Sequence, residues 1–222
     1  MNRILALWQT AIGKKLAMAV SGVLLVLFLV SHMISNVTVL IDPQHLDDYA
    51  AWLRSFGPLL WVARLGLLAL AVVHIAAAWQ LTQMARAARP ATYARHDAQV
   101  ATYAARTMRW GGVLLLVFLV YHILHFTTGT VHPDFRHGEV GRNLIVGMQS
   151  PLVAVFYMVA MLALGMHFWH GTWSVFQTLG VNHPAWNRTR NVVAAVLAVL
   201  VAGGLLLIPL AALFGRLTWP PR

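Results

Sequence analysis

The sequence contains no cysteine. The chain can therefore form no disulfide, ligate no iron–sulfur cluster and carry no c-type haem linkage. Any iron–sulfur chemistry it serves must sit on another subunit. Charge is also scarce, at 10% of the 222 residues, and only six residues are acidic. A soluble domain carries about 25% charged residues and needs a polar surface. Here 59% of the residues are hydrophobic and the mean hydropathy is +0.70. That composition suits a bilayer, where every backbone polar group must be satisfied inside helices or a closed barrel. The apolar stretches are continuous rather than alternating, which favours helices over a barrel. The net charge of +10 raises nucleic acid as a partner. The arginines, however, cluster at the ends of apolar segments, where they signal topology, and no nucleic-acid partner is expected. Lys14 and Lys15 precede an apolar run too long for a signal-peptide core, and no small-residue cleavage site follows, so the first apolar segment reads as a retained span.

Five segments are long enough to cross about 30 Å of hydrocarbon, which takes about 20 helical residues. They cover residues 15–40, 59–84, 108–128, 151–179 and 192–214. Asp42 and Pro43 stop the first, Gly129 ends the third, Pro151 opens the fourth, and Pro209 is expected to kink the fifth. With short connections, residues 1–222 form one all-α membrane domain, an up-and-down bundle. Orientation follows from the basic residues. Arg3, Lys14, Lys15, Arg86, Arg89, Arg95, Arg106, Arg109, Arg188 and Arg190 fall on one side, against Arg54, Arg64, Arg136, Arg142, Arg216 and Arg222 on the other. The first side is expected to be cytoplasmic, with the N-terminus inside and the C-terminus outside. Trp8, Trp52, Trp61, Trp110, Trp186 and Trp219 lie near span ends, where aromatic belts form.

Ionisable side chains within a membrane are costly and usually functional. The spans hold His32, His74, His122, His125, His167 and His170, with no carboxylate or basic side chain deep beside them. A proton relay would need carboxylates. Neutral imidazoles suit metal ligation, and haem is the large apolar metal cofactor that a helix bundle accommodates. At 1.5 Å per residue, His32 lies about 15 Å from Asp42 and His122 about 10 Å from Gly129, both towards the outer side. His74 lies about 18 Å from Arg86 and His167 about 20 Å from Gly180, both in inner halves. Two pairs follow: His32 with His122 as an outer site, and His74 with His167 as an inner one. Two haems at these depths would make an electron path across the membrane.

An internal echo supports the outer pair. The eleven residues from Gly22 to His32 agree at eight positions with those from Gly112 to His122. The aligned glycine, phenylalanine and histidine carry most of the weight. Ser21 and Gly111 stand eleven residues before each histidine, on nearly the same face, and leave room for a flat macrocycle. His125 and His170, one turn beyond the preferred ligands, suit a propionate contact or a quinone pocket. His45, His96, His132, His137 and His183, in loops or near span ends, are poor haem candidates.

With those residues in place, the chain resembles the membrane-anchor cytochrome b subunit of succinate:quinone oxidoreductases and fumarate reductases, in its single-subunit, five-helix, di-haem bacterial form. The resemblance covers nearly the whole chain. It rests on Lys14 and Lys15 with Met18 to Gly22, on Phe28 to Asn36 around His32, on the His74 and His122 spans, and on the block from His167 through Trp173 and Gln177 to Asn182. It implies two haem b groups held by His32 with His122 and by His74 with His167. It also implies electron transfer between a membrane quinone, expected to be menaquinone, and a cytoplasmic iron–sulfur subunit beside a flavoprotein that carries FAD. The chain itself would be a non-catalytic electron-transfer and quinone-binding subunit in a bacterial cytoplasmic membrane. The basic inner loops, Arg86 to Arg109 and Arg188 with Arg190, suit docking of that subunit and also haem propionates. The family's outer quinone site uses an acid between the first two spans, where Asp42, His45, Asp47 and Asp48 are candidates by position. One departure stands out. Some fumarate reductases of this type carry a membrane glutamate two residues before the fourth span's ligand, and that position here is Gly165. Two other readings compete: a di-haem anchor of a hydrogenase or formate dehydrogenase, whose catalytic subunits lie outside, and a non-redox transporter. The transporter reading would predict inverted repeats, whereas the echo here joins spans of the same sense.

Overall fold

Thr10 opens the first long helix by accepting a hydrogen bond from the amide of Gly13 at 2.9 Å. This N-cap satisfies a backbone donor that would otherwise be orphaned. The computed structural model describes residues 3–88 and 103–219, with side chains from residues 6–88 and 106–219. Arg89, Arg95, His96 and Arg222, and the side chain of Arg3, lie outside the described residues. In chain order the α-helices are α1 (Arg3–Gln9), α2 (Ala11–Val37), α3 (Pro43–Ser55), α4 (Pro58–Ala87), α5 (Tyr103–His122), α6 (Val140–Met148), α7 (Pro151–Thr178) and α8 (Asn187–Leu213). Five of them, α2, α4, α5, α7 and α8, are long and apolar enough to span a membrane. No strand occurs among the described residues.

The spans match the apolar segments read from the sequence, with edges shifted by capping chemistry. The helix α2 starts at Ala11 rather than residue 15, because Thr10 caps it and Lys14 folds back to donate to Trp8 O at 2.7 Å. The helix α8 begins at Asn187, after a short 3-10 turn at Pro184–Trp186, and continues through Pro209 to Leu213. The connections differ more. Residues 43–55 form a helix rather than a loop. Asp42 accepts from Gln44 N at 2.9 Å and Pro43 takes the first helical position, so this dipeptide ends one helix and starts another. Between α5 and α7 lies a second short helix, α6, almost entirely buried.

The most extensive packing is between α7 and α8; α2 packs against α4 and α5 against α7, and α2 also touches α7 and α8. Phe168, Ala198 and Val201 meet Val26, Leu29, Val30 and Met33 in the middle of this arrangement. A second core lies at the α3–α6 end, where Val39, Leu46, Leu144, Ile145, Met148, Tyr157, Ile208 and Leu217 cluster. There Gly141 passes so close to α3 that a Cβ would stand 2.4 Å from Pro43 O. Asp47 fixes the same crossing by accepting from Gly141 N at 2.9 Å. The outer faces of the spans carry exposed Leu, Val, Ile and Trp, including Leu27, Val62, Leu65, Trp110 and Val199. That is the surface a helix bundle presents to lipid.

Candidate metal centre

Four half-buried histidines meet in two pairs. The rings of His32 on α2 and His122 on α5 have centroids 5.8 Å apart and cross nearly edge to face, at 82°. The rings of His74 on α4 and His167 on α7 have centroids 6.2 Å apart, at 58°. These are the partners that depth along each span selects. Two metal–imidazole bonds of about 2 Å would hold facing nitrogens about 4 Å apart. Adding the ring behind each nitrogen brings centroid spacings to roughly those found. A bare ion in a structural site takes about four protein ligands, and no group of three or more His, Cys, Asp or Glu is assembled among the described residues. Two opposed imidazoles instead fit a metal that brings its own equatorial ligands, as haem iron does.

The backbone arrangement fits the same group. The helices α2 and α5, which carry one pair, are not among the closely packed helix pairs, and neither are α4 and α7, which carry the other. Each pair of imidazoles thus joins two helices that do not pack closely against each other.

Register fixes the spacing of the two sites. Tyr157 of α7 stands beside His122, with its hydroxyl 3.3 Å from His122 Nδ1. His167 lies ten residues further along α7 and Gly112 ten residues back along α5, so in oppositely running helices they share a level about 15 Å below the outer pair. On α2, Gly22 lies against His74, and a Cβ there would come within 3.3 Å of His74 Cε1. His32 is ten residues above it. The echo between α2 and α5 therefore has a structural meaning: each copy places a histidine at the outer level and a glycine at the inner one.

His74 is oriented by α2. Its Nδ1 lies 3.2 Å from Met18 O and 3.3 Å from Ser21 Oγ. A carbonyl can only accept, so Nδ1 carries the ring proton and Nε2 keeps its lone pair. The Ser21 hydroxyl donates to Ala17 O at 2.7 Å, which leaves its oxygen free to accept from His74. Ser21 is 2% exposed; its role is thus to hold His74, beyond leaving space as the sequence suggests. His167 has a buried Nδ1 without a hydrogen-bond partner.

His125 and His170 separate clearly from the paired rings. His125 lies in a π-turn at Ile123–Thr127. His125 is fully buried, stacked on His132 at 5.0 Å, and packed so closely against Gly147 that a Cβ there would meet its Cε1 at 2.8 Å. His170 is half-buried, 6.1 Å from the Trp173 ring. Among the quinone candidates, Asp42 caps α3, Asp47 ties α3 to α6, and Asp48 accepts from Gln44 Nε2 at 2.9 Å, while His45 is exposed on the same helix. Arg86 and Arg109 line one cleft at the end of α4, and Arg188 is exposed. Arg190, in contrast, is 4% exposed and folds onto Val181 O and Asn187 Oδ1. It secures the α7–α8 connection and offers no docking surface.

Tyr157, and the hydrogen-bonding role of Ser21, escaped the sequence reading. Each is a hydroxyl in an apolar span ten or eleven residues from a paired histidine, and that spacing was the available signal. Compared with protein-family models, curated proteins and solved structures, the chain matched none.

Proposed function

We propose that the chain is the di-haem cytochrome b membrane anchor of a succinate:quinone oxidoreductase or fumarate reductase. It carries electrons between a cytoplasmic iron–sulfur subunit and a membrane quinone. The observation that carries this reading is the facing of His32 with His122 and of His74 with His167 at two levels of one apolar bundle. A b haem held between two imidazoles has no open iron position and supplies one-electron transfer. His32 and His122 hold the outer group, and His74 and His167 the inner one. The surrounding Leu, Val and Phe side chains exclude water and so raise the weight of each nearby dipole. Met18 O and the Ser21 hydroxyl keep the His74 proton on Nδ1 and its lone pair on Nε2. The end bearing Arg86 and Arg109 faces the cytoplasm and receives the iron–sulfur subunit, whose flavoprotein partner carries FAD. Quinone, menaquinone by the resemblance, reacts near the outer pair. Asp42 and Asp47 are engaged in caps and ties there, while His45 and Asp48 are exposed on α3.

The test is a dithionite-minus-oxidised difference spectrum and a pyridine haemochrome count on the purified complex, repeated with succinate as reductant. About two b haems per chain, partly reduced by succinate, is the expected result. Haem that succinate cannot reduce in an intact complex would return the chain to the hydrogenase or formate dehydrogenase class, and no haem at all to the transporters. A finer check concerns Ser21→Ala. It removes one of two acceptors from His74 and leaves Met18 O, so the inner haem should be retained but released about tenfold more readily. Titration of haem loss to a scavenger protein measures this; an unchanged loss rate would mean that Met18 O alone orients the ring.

A further inference from the structure

The Tyr157 hydroxyl is the meeting point of two histidines. It lies 3.3 Å from His122 Nδ1 and 3.1 Å from His125 Nδ1. The side chain is 5% exposed and enclosed by Phe118, Tyr121, Phe126 and Phe156. A phenol has one proton to give and lone pairs with which to accept, so the two contacts cannot both be donations.

The direction follows from His122. If its Nε2 faces His32 and the metal, its proton is on Nδ1, and the phenol oxygen accepts it. The phenol proton is then free for His125 Nδ1, and the His125 proton falls on Nε2, a buried nitrogen that has no hydrogen-bond partner. The groups beyond hold His125 in position. His125 stacks on His132, whose Nε2 donates to Asn143 O at 2.8 Å and whose Nδ1 accepts from Asp134 N at 3.1 Å. Each ring nitrogen of His132 is thus assigned by a partner that can only accept or only donate. His125 itself is fixed by the π-turn and by Gly147.

We propose that Tyr157 is the positioning residue of the outer site: by accepting the Nδ1 proton of His122 it orients that ring and strengthens its electron donation. This inference rests on the haem reading above. An acceptor at the far nitrogen makes an imidazole a more basic ligand, which favours the ferric state and lowers the potential. The inner site is built differently, since His74 donates to a backbone carbonyl and a serine. The phenol therefore acts on one haem only.

The experiment is Tyr157→Phe in the whole purified complex, examined by haem count, redox titration and low-temperature electron paramagnetic resonance. A His74→Ala background, which keeps only the outer haem, assigns the signals. The expected result is an unchanged haem count, an upward shift of the outer potential with an altered outer low-spin signal, and an unmoved inner haem. His125→Gln, which replaces the group the phenol donates to and keeps Tyr157 and His122, should shift the outer potential in the same direction by less. It also serves if the phenylalanine variant does not accumulate. Two haems with both potentials unmoved in either variant would overturn the proposal. A wild-type complex without haem would instead overturn the reading on which it rests.

Discussion

Alanine at His32 or His122 should leave the chain with only its inner haem, and alanine at His74 or His167 with only its outer one. The chain has no cysteine to attach a haem covalently, so on the proposed reading each haem would be held by its two histidines and by packing. Loss of one imidazole would remove half of the protein's hold on that haem. For the outer pair the nearest alternative is His125, and it cannot move in: it is fully buried between His132 and Gly147. The haemochrome count should fall by about half in each variant. The surviving haem should be the same one within each pair of variants, and a different one between pairs. Exchange of the exposed His45 or His137 should leave the count intact. Retention of both haems in His74→Ala or His167→Ala would remove the inner pair from the argument. Loss of the outer haem in His125→Ala, with His122→Ala silent, would show that the π-turn carries the true ligand.

The pairing itself was legible in the sequence because it depends only on depth, and depth is set by 1.5 Å per residue in a helix that cannot bend far within a bilayer. The five spans were legible for the same reason: their apolar runs leave no alternative. The connections were not. Pro43 read as a terminator, yet a proline at the first helical position starts a helix as readily as it ends one, and α3 follows it. The helix α6 hides behind Gly141, Arg142 and Asn143, residues that suggest a loop until Asp134, Arg136 and His132 are folded over them. Arg190 shows the limit of counting charges. Sequence position placed it on a docking face, while its guanidinium turns inward to close a loop. The choice between His122 and His125 was open by spacing alone. In the structure His122 stands opposite His32, while His125 lies in a π-turn beside His132 and Gly147, a feature with no composition signature.

Arg142→Ala should loosen the outer cap far more than an ordinary surface substitution. The guanidinium is 4% exposed although the helix that carries it lies outside the spans. Its Nη1 donates to Asp134 O at 2.9 Å, its Nη2 meets the Asp134 carboxylate, and its Nε lies 3.5 Å from Glu139. Losing the buried bond to a backbone carbonyl costs about 2 kcal/mol, and loss of the packed side-chain stem adds to it. The carboxylate contacts are half open to water and add little. The consequence reaches the site because α6 supplies Leu144, Ile145 and Met148 to the cluster that encloses Tyr157. Hydrogen exchange over residues 129–150 should therefore quicken in Arg142→Ala, and the α8 amides should stay as they were. Acid should do part of the same work. The hydrogen bond from Arg142 holds the Asp134 carboxyl below its ordinary value of 3.8, and the charges of Arg142 and Arg136 add to the effect. A carboxyl with a depressed folded value stabilises fully above its ordinary range and loses that contribution as the pH falls through the folded value. The Asp134 contribution to cap protection should then be constant between neutrality and about 5, after correction for intrinsic exchange, and should fall only in stronger acid. In Arg142→Ala that acid step should shrink, with Arg136 still beside Asp134. Equal protection of residues 129–150 in the variant and the wild type would show that apolar packing by α6 alone holds the cap.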